Sequence, residues 1–134
     1  MSTPLITPEL VSLDANLGST KTEVITSVAG LIAAAGRADA DGLAHDTLDR
    51  ESKSPTGMPG GFAIPHCRSA AVSQVSLGFA RLSPAVDFNG PDGPADLIFM
   101  IAASEDGGAD HMKLLTKLAR ALVNPEFVEQ LRQA

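Results

Sequence analysis

The length, composition and charge of this chain exclude several classes of protein. Its 134 residues are the size of one ordinary domain, and 44% of them are hydrophobic, which is enough for a folded core. A net charge of −6 and the absence of Tyr and Trp argue against nucleic-acid binding, which relies on cations and on aromatic stacking. An anionic ligand would therefore have to be bound by a local group of cations or backbone N–H groups.

The cysteine content and the N-terminus indicate where the chain resides. A single cysteine, Cys67, cannot form an internal disulfide, which fits a reducing compartment. The N-terminal "MSTPLITPEL" lacks the charged and apolar regions of a signal peptide. The longest apolar runs, 28–36 and 97–103, are too short to span a bilayer. We expect one cytoplasmic domain over residues 1–134, without membrane insertion of its own.

The first third of the chain predicts a strand and two helices. Apolar residues at 10–13 favour an early strand. Ser19 or Thr20 is expected to cap a helix that ends at Gly36, because a hydroxyl can accept the free N–H groups of the first turn. A second, shorter helix is predicted over about residues 40–51.

The middle of the chain predicts a loop and several strands. Residues 52–61, "SKSPTGMPGG", have the composition of a loop, and 62–64 form a brief apolar strand. The segment 75–82 alternates, with Val75, Leu77 and Phe79 on one face, which predicts a half-buried strand. The continuous apolar run 97–103 predicts a central strand covered on both faces.

Helical periodicity returns at the end of the chain, over about residues 110–122 and 125–133. The resulting order of two helices, several strands and two more helices predicts an α/β or α+β layered fold around one sheet.

The hexapeptide "GFAIPH" places His66 at the stiff end of a short apolar segment. Pro65 fixes the backbone just before the imidazole. Upstream, Gly57, Gly60 and Gly61 allow backbone N–H groups to approach an anion closely. A surface turn with an incidental histidine explains the hexapeptide equally well.

His111 opens the helix "HMKLLTKLARAL". It shares one face with Leu115, Leu118 and Leu122, so a buried core histidine is the simpler interpretation. Its position in the first turn favours the other interpretation, because a helix N-terminus attracts anions. A neutral imidazole there can donate one hydrogen bond to a phosphate.

Arg50 and Glu51 end the second predicted helix and lead into the glycine loop. A cation at a helix C-terminus is common and only mildly stabilising, but a guanidinium there can also reach an anion bound by the loop. Thr56 offers a hydroxyl donor beside the glycines, although a plain loop threonine fits equally well. His45, among polar neighbours, is expected to be solvated.

Three other chemistries are disfavoured by spacing. His66 and Cys67 point to opposite faces if the strand continues through them, so they do not form a thiol–imidazole dyad. Zinc binding lacks C-x-x-C or H-x-x-x-H spacing, and no metal is expected. A phosphate-binding Walker loop would need a Lys-Ser or Lys-Thr after the glycines, and the chain has neither there.

Two segments together, "RESKSPTGMPGGFAIPH" and "FMIAASEDGGADHMKLL", closely resemble the fructose/mannitol-type enzyme IIA domains of the bacterial phosphoenolpyruvate:sugar phosphotransferase system. The resemblance extends over nearly the whole chain. It implies a single α/β domain with a mixed β-sheet flanked by helices on both sides, a three-layer sandwich. It also implies a phosphotransferase component that uses no cofactor.

The resemblance further implies a role for each candidate residue. His66 would accept a phosphoryl group, on Nε2, from the phosphocarrier protein HPr and pass it to a IIB domain. Arg50 and His111 would support the phosphohistidine, with Thr56 and the glycines Gly57 and Gly61 beside it. The partners would be HPr and the IIB and IIC components of a sugar permease, with fructose as the expected sugar. A fused or bound permease would tether the domain to the membrane.

The chain departs from the family pattern after His66, where many relatives carry a small residue, often Gly, and this chain has Cys67 and Arg68. Pro59 also stiffens the glycine loop. Two other functions stay open. A regulatory module similar to the nitrogen-related IIA branch would act through phosphorylation-dependent partner binding, and a structural metal-binding domain is a more distant alternative.

Overall fold

Along the part of the chain that the computed structural model describes, one strand is followed by two helices, five further strands and closing helical segments. The described residues are 10–53, 55–58, 61–73, 75–90, 93–105, 113, 116–118, 120–122 and 124–133. Their named elements are β1 (Val11–Ala15), α1 (Lys21–Ala34), α2 (Ala40–Lys53), β2 (Gly57–Met58), β3 (Phe62–Ala63), β4 (His66–Arg68), β5 (Ser76–Val86), β6 (Ala95–Ala103) and α3 (Pro125–Gln133).

The strands form one mixed six-stranded sheet in the order β1-β5-β6-β3-β2, with β4 also paired to β6. Strand β6 runs antiparallel to β5 and parallel to both β3 and β4. Nearly every residue of β6 is buried, which confirms the predicted central strand. The early strand is confirmed as β1, which pairs with β5 in parallel. The predicted loop 52–61 contains the two-residue strand β2.

Helices cover both faces of the sheet, which confirms the three-layer prediction. One core lies under α1 and α2 and includes Ile25, Ile32, Leu43, Ala80 and Met100. The core on the opposite face includes Phe79, Phe99, Ile101, Leu118 and Val128. The rings of Phe79 and Phe99 lie on paired strands with their centroids 5.0 Å apart.

The prediction of a half-buried strand over 75–82 was wrong. Strand β5 is buried on both faces over most of its length, because α1 packs on the side that carries the small residues. A methyl group at Gly78 would lie 2.9 Å from Cγ1 of Val28. Gly78 and Ala80 are small residues that leave room for α1, and their side of the strand was mistaken for an exposed face.

The ends of the first helix agree with their sequence signals. Thr20 is the N-cap of α1, and its Oγ1 accepts the N–H of Glu23 at 3.2 Å. Gly36 follows the helix with a φ of 79°, a conformation that favours glycine. Helix α2 runs two residues beyond its predicted end, to Lys53.

The closing helices are confirmed as far as the structure describes them. Helix α3 has the predicted bounds, and residues 113, 116–118 and 120–122 are helical. The rest of the predicted helix 110–122, including His111, lies outside the described residues. Within the described part of the chain, no helix is long and apolar enough to cross a membrane.

Candidate functional site

His66 begins the short strand β4, next to the central strand of the sheet. It pairs in register with Ile101, while Cys67 pairs with Ala102. Paired residues point to the same face, so the imidazole lies on the face of Ile101 and the thiol on the opposite face. The side chain of His66 is half-buried, whereas Cys67 is buried under α2.

One hydrogen bond defines the chemistry of the imidazole. Nδ1 of His66 lies 2.7 Å from the carbonyl oxygen of Ile64. A carbonyl oxygen only accepts hydrogen bonds, so Nδ1 carries the proton, and in the neutral ring Nε2 then holds the lone pair. Nε2 is therefore the nucleophilic nitrogen, which agrees with the atom that the family resemblance implies.

The carbonyl that accepts this bond belongs to a backbone segment fixed by a buried carboxylate. Glu51, only 2% exposed, accepts the N–H of Thr56 at 2.8 Å and its hydroxyl at 2.6 Å. The N–H of Ile64 in turn donates to the carbonyl of Thr56 at 3.2 Å. A continuous series of hydrogen bonds thus leads from α2 through Thr56 and Ile64 to the imidazole of His66.

The carboxylate of Glu51 has a cationic partner from the first helix. Nζ of Lys21 lies 3.5 Å from Oε2 of Glu51 and donates to Oδ1 of Asn89 at 2.6 Å. A buried carboxylate needs such partners, since burial alone would disfavour its charge. Lys21 therefore ties α1, α2 and the loop at Asn89 together beside Thr56.

Arg50 lies next to Glu51 on the last turns of α2 and is half-buried. It lines an open depression of about 330 Å³ together with Cys67 and Arg68. The other lining residues are Asp46, Asp49, Lys53 and Glu105. Arg50 thus lies on the α2 side of β4, and the imidazole of His66 points to the other face.

The thiol of Cys67 is turned away from His66 and held by α2. Its Sγ lies 3.2 Å from Oγ1 of Thr47, which is fully buried. Burial raises the pKa of the Cys67 thiol, although the hydrogen bond with Thr47 opposes that shift. A buried, neutral thiol on the other face cannot act on the imidazole, so the geometry agrees with the rejection of a Cys–His dyad.

The supporting residues have structural partners that the sequence did not indicate. The hydroxyl proton of Thr56 is donated to Glu51, so in this structure the side chain holds the loop. Gly61 has a φ of 82°, and its carbonyl accepts the N–H of Asp96 at 2.9 Å. Asp96 forms a bidentate ion pair with Arg132 of α3. These contacts fix both ends of the glycine loop.

The sequence interpretation placed Arg50, Thr56 and His66 around one loop, and the structure brings their segments together. It treated Glu51 only as the neighbour of Arg50 and did not recognise Lys21. An acidic residue at the end of a helix, where acids are unfavourable, was an available signal for Glu51. His45 is exposed, as expected. Among the described residues, no group of three His, Cys, Asp or Glu side chains is arranged to hold a metal ion.

Comparison with known proteins gives a match over almost the entire chain. The family described as "Phosphoenolpyruvate-dependent sugar phosphotransferase system, EIIA 2" matches residues 4–134. The chain is 39% identical over 132 residues to the "PTS system fructose-specific EIIA component" of Haloferax volcanii, with 96% of this chain and 85% of that protein covered.

Solved structures with the same fold come from two kinds of protein. The nitrogen regulatory protein IIA-Ntr of Neisseria meningitidis has a TM-score of 0.87 and 28% identity, covering 96% of this chain and 88% of that one. The mannitol enzyme IIA of Escherichia coli, solved in complex with phosphorylated IIB, has a TM-score of 0.78, covering 96% of this chain and 90% of that one. Its identity of 24% shows the fold alone.

Gly57 is predicted to be required for packing of the loop that carries Thr56. A methyl group there would lie 2.6 Å from the Gly90 nitrogen and closer still to the Phe88 carbonyl oxygen. Gly57→Ala should therefore lower the free energy of unfolding by about 1–3 kcal/mol, as overpacking does. Gly30→Ala is the matched control, since a methyl group on that side of α1 meets no atom within 4 Å. The control should raise stability by about 0.5–1 kcal/mol. Equal denaturation midpoints for the two variants would contradict the prediction.

Proposed function

Because the chain belongs to the EIIA 2 family of the phosphoenolpyruvate-dependent sugar phosphotransferase system, we propose that it carries a phosphoryl group on Nε2 of His66. The observation that carries this proposal is the bond from Nδ1 of His66 to the Ile64 carbonyl, which leaves Nε2 with the lone pair. The imidazole is also half-buried rather than enclosed, so a partner protein can reach it.

The proposed step is a direct displacement at phosphorus. The lone pair of Nε2 forms the new N–P bond while the bond from phosphorus to the donor atom breaks. The imidazole gains positive charge as it attacks, and the carbonyl of Ile64 stabilises that charge through the Nδ1 proton. Transfer onward reverses the step and restores the lone pair. Such chemistry needs mainly positioning and charge stabilisation, which a fixed imidazole supplies.

Arg50 and His111 are proposed to stabilise the transferring phosphoryl group. The guanidinium of Arg50 can reach the outer edge of β4 from the depression that it shares with Arg68, and its planar fork suits phosphoryl oxygens. The role of His111 rests on the family resemblance, as do those of the Thr56 hydroxyl and of Gly57 and Gly61 in phosphate binding.

The proposed partners are phosphorylated HPr as donor and a IIB domain as acceptor, with fructose as the sugar. The fructose assignment is supported by the relative from Haloferax volcanii. The IIB assignment is supported by the mannitol IIA of the same fold that was solved with phosphorylated IIB. A coupled IIC component would then move the sugar across the membrane, with this domain on the cytoplasmic side.

A regulatory function is the second candidate, because the nitrogen regulatory protein of Neisseria meningitidis shares the fold with a TM-score of 0.87. The two functions differ in the phosphoryl acceptor. The test is to phosphorylate the protein with phosphoenolpyruvate, enzyme I and HPr, and then add candidate IIB domains with their sugars. Transfer of the phosphoryl group to a fructose IIB domain, and sugar phosphate once membranes with the matching IIC component are added, support the carrier. Stable phosphoprotein with every IIB domain favours regulation.

His66→Ala is predicted to abolish phosphate incorporation from phosphorylated HPr with little change in the thermal melt, because the variant removes the proposed acceptor nitrogen. Phosphopeptide mapping of the wild-type protein under alkaline conditions should find the label on the peptide that carries His66. His45→Ala, at an exposed position of α2, is the control and should incorporate phosphate normally. Label on His45 or Cys67 would contradict the assignment.

Arg50→Lys is predicted to slow phosphoryl transfer about tenfold and Arg50→Ala about 10²–10³-fold, since lysine keeps the charge but lacks the planar fork. Both melts should stay near that of the wild type, because a charge near a helix end contributes only about 0.3–1 kcal/mol. Lys53→Ala removes an exposed cation from the last turn of the same helix, is the control and should transfer at the wild-type rate. Wild-type rates in both Arg50 variants would remove Arg50 from the site.

A further inference from the structure

A buried ionic group lies behind the candidate nucleophile without touching it. The carboxylate of Glu51 is 2% exposed, and both of its oxygens accept hydrogen bonds from Thr56. Among the described residues, its other partner is Nζ of Lys21, at 3.5 Å. A carboxylate on the exposed surface of α2 would stay hydrated, so folding would not have to meet the free-energy cost of removing it from water. Its burial at this position therefore calls for a physical reason.

The contacts of Thr56 connect this carboxylate to the imidazole. Because the N–H and the hydroxyl of Thr56 both donate to Glu51, the orientation of the Thr56 peptide is fixed on that side. The carbonyl of Thr56 accepts the N–H of Ile64 at 3.2 Å. The carbonyl of Ile64 then accepts Nδ1–H of His66 at 2.7 Å. Two backbone carbonyls and one carboxylate thus set the position at which the imidazole proton is held.

We propose that Glu51 is a positioning residue that acts through Thr56 and Ile64 to hold His66 as the Nδ1–H tautomer, with Nε2 unprotonated. Glu51 touches neither His66 nor the phosphoryl group in this arrangement. The inference rests on the proposed role of His66 as phosphoryl acceptor. It adds that the acidic residue after Arg50 determines which ring nitrogen is available.

The position of Lys21 supports this assignment. Its ammonium group bridges Glu51 and Asn89, so the carboxylate has a cationic partner and Thr56 is held against the loop at residues 88–90. The same loop meets Gly57 closely, as the missing space for a methyl group indicates. The segment from Thr56 to Ile64 is therefore clamped at its start by the carboxylate and by close packing.

The test compares Glu51→Gln and Thr56→Val with a matched control, Thr47→Val. Glu51→Gln replaces one acceptor oxygen with an amide NH₂, which cannot accept from Thr56. Thr56→Val removes only the hydroxyl bond and is the milder variant. Thr47 is a fully buried threonine of the same helix whose hydroxyl contacts Cys67 on the other face of β4. Its valine variant removes a buried hydroxyl without touching the series of bonds to His66.

The main measurement is ¹⁵N NMR of the His66 ring nitrogens in the unphosphorylated 134-residue chain at neutral pH and well below the melting temperature. The wild-type protein and Thr47→Val should show the Nδ1–H tautomer. Glu51→Gln and Thr56→Val should shift the ring toward the Nε2–H tautomer. Transfer from phosphorylated HPr should fall about 10- to 100-fold in Glu51→Gln, as misplaced reacting groups do, and less in Thr56→Val.

The inference is overturned if Glu51→Gln and Thr56→Val melt earlier, as Thr47→Val does, while their His66 nitrogens and transfer rates match the wild type. Glu51 would then be a structural residue only. The proposed function fails separately, if wild-type His66 takes up no phosphate. The ring-nitrogen comparison needs no phosphorylation, so it decides the role of Glu51 in that case as well.

Discussion

The hydrogen bond from Nδ1 of His66 to the carbonyl of Ile64 is the interaction on which the account of this site depends. A free imidazole exchanges its proton between two nitrogens, and only the unprotonated nitrogen is nucleophilic. A carbonyl two residues upstream removes that ambiguity, provided that the backbone between them is rigid. Pro65 supplies part of the rigidity, and the pairing of β4 with β6 supplies a further part.

Much of the surrounding structure maintains the position of that carbonyl. Glu51 and Lys21 anchor the start of the glycine loop, and Asp96 with Arg132 anchors the region of Gly61 at its other end. Strands β3 and β4 both pair with the central strand β6. The segment that leads from the glycine loop to His66 therefore runs beside a strand that is almost entirely buried. The described part of the site is therefore built on the sheet.

The sequence was sufficient for the helices and the central strand, because each has a local signal. Periodicity and capping marked α1, and a continuous apolar run marked β6. His66 was singled out by the family resemblance, since a proline–histidine pair after glycines fits a surface turn equally well. The burial of β5 was misjudged because Gly78 and Ala80 pack against α1, which is far away in sequence. Only small residues leave room for the helix there. Alternation of residue type cannot distinguish a small buried residue from an exposed one.

The part of the site that the sequence could not provide is its long-range connectivity. Lys21 and Glu51 are 30 positions apart, and no pattern in the chain relates them. The tautomer of His66 likewise depends on a backbone carbonyl, which carries no sequence signal at all. The residue types that can carry out chemistry are evident in the sequence. The hydrogen bonds and ion pairs that set their protonation and orientation form between distant segments, so they are known only from the folded structure.

Locating the phosphate on the ring tests the central claim most directly. The protein is uniformly labelled with ¹⁵N, phosphorylated with phosphoenolpyruvate, enzyme I and HPr, and analysed by NMR for coupling between phosphorus and the imidazole nitrogens. Coupling of phosphorus to Nε2 of His66, with Nδ1 still protonated, is the result that this account predicts. Phosphate on Nδ1 would contradict it, because that nitrogen would have had to release the carbonyl of Ile64.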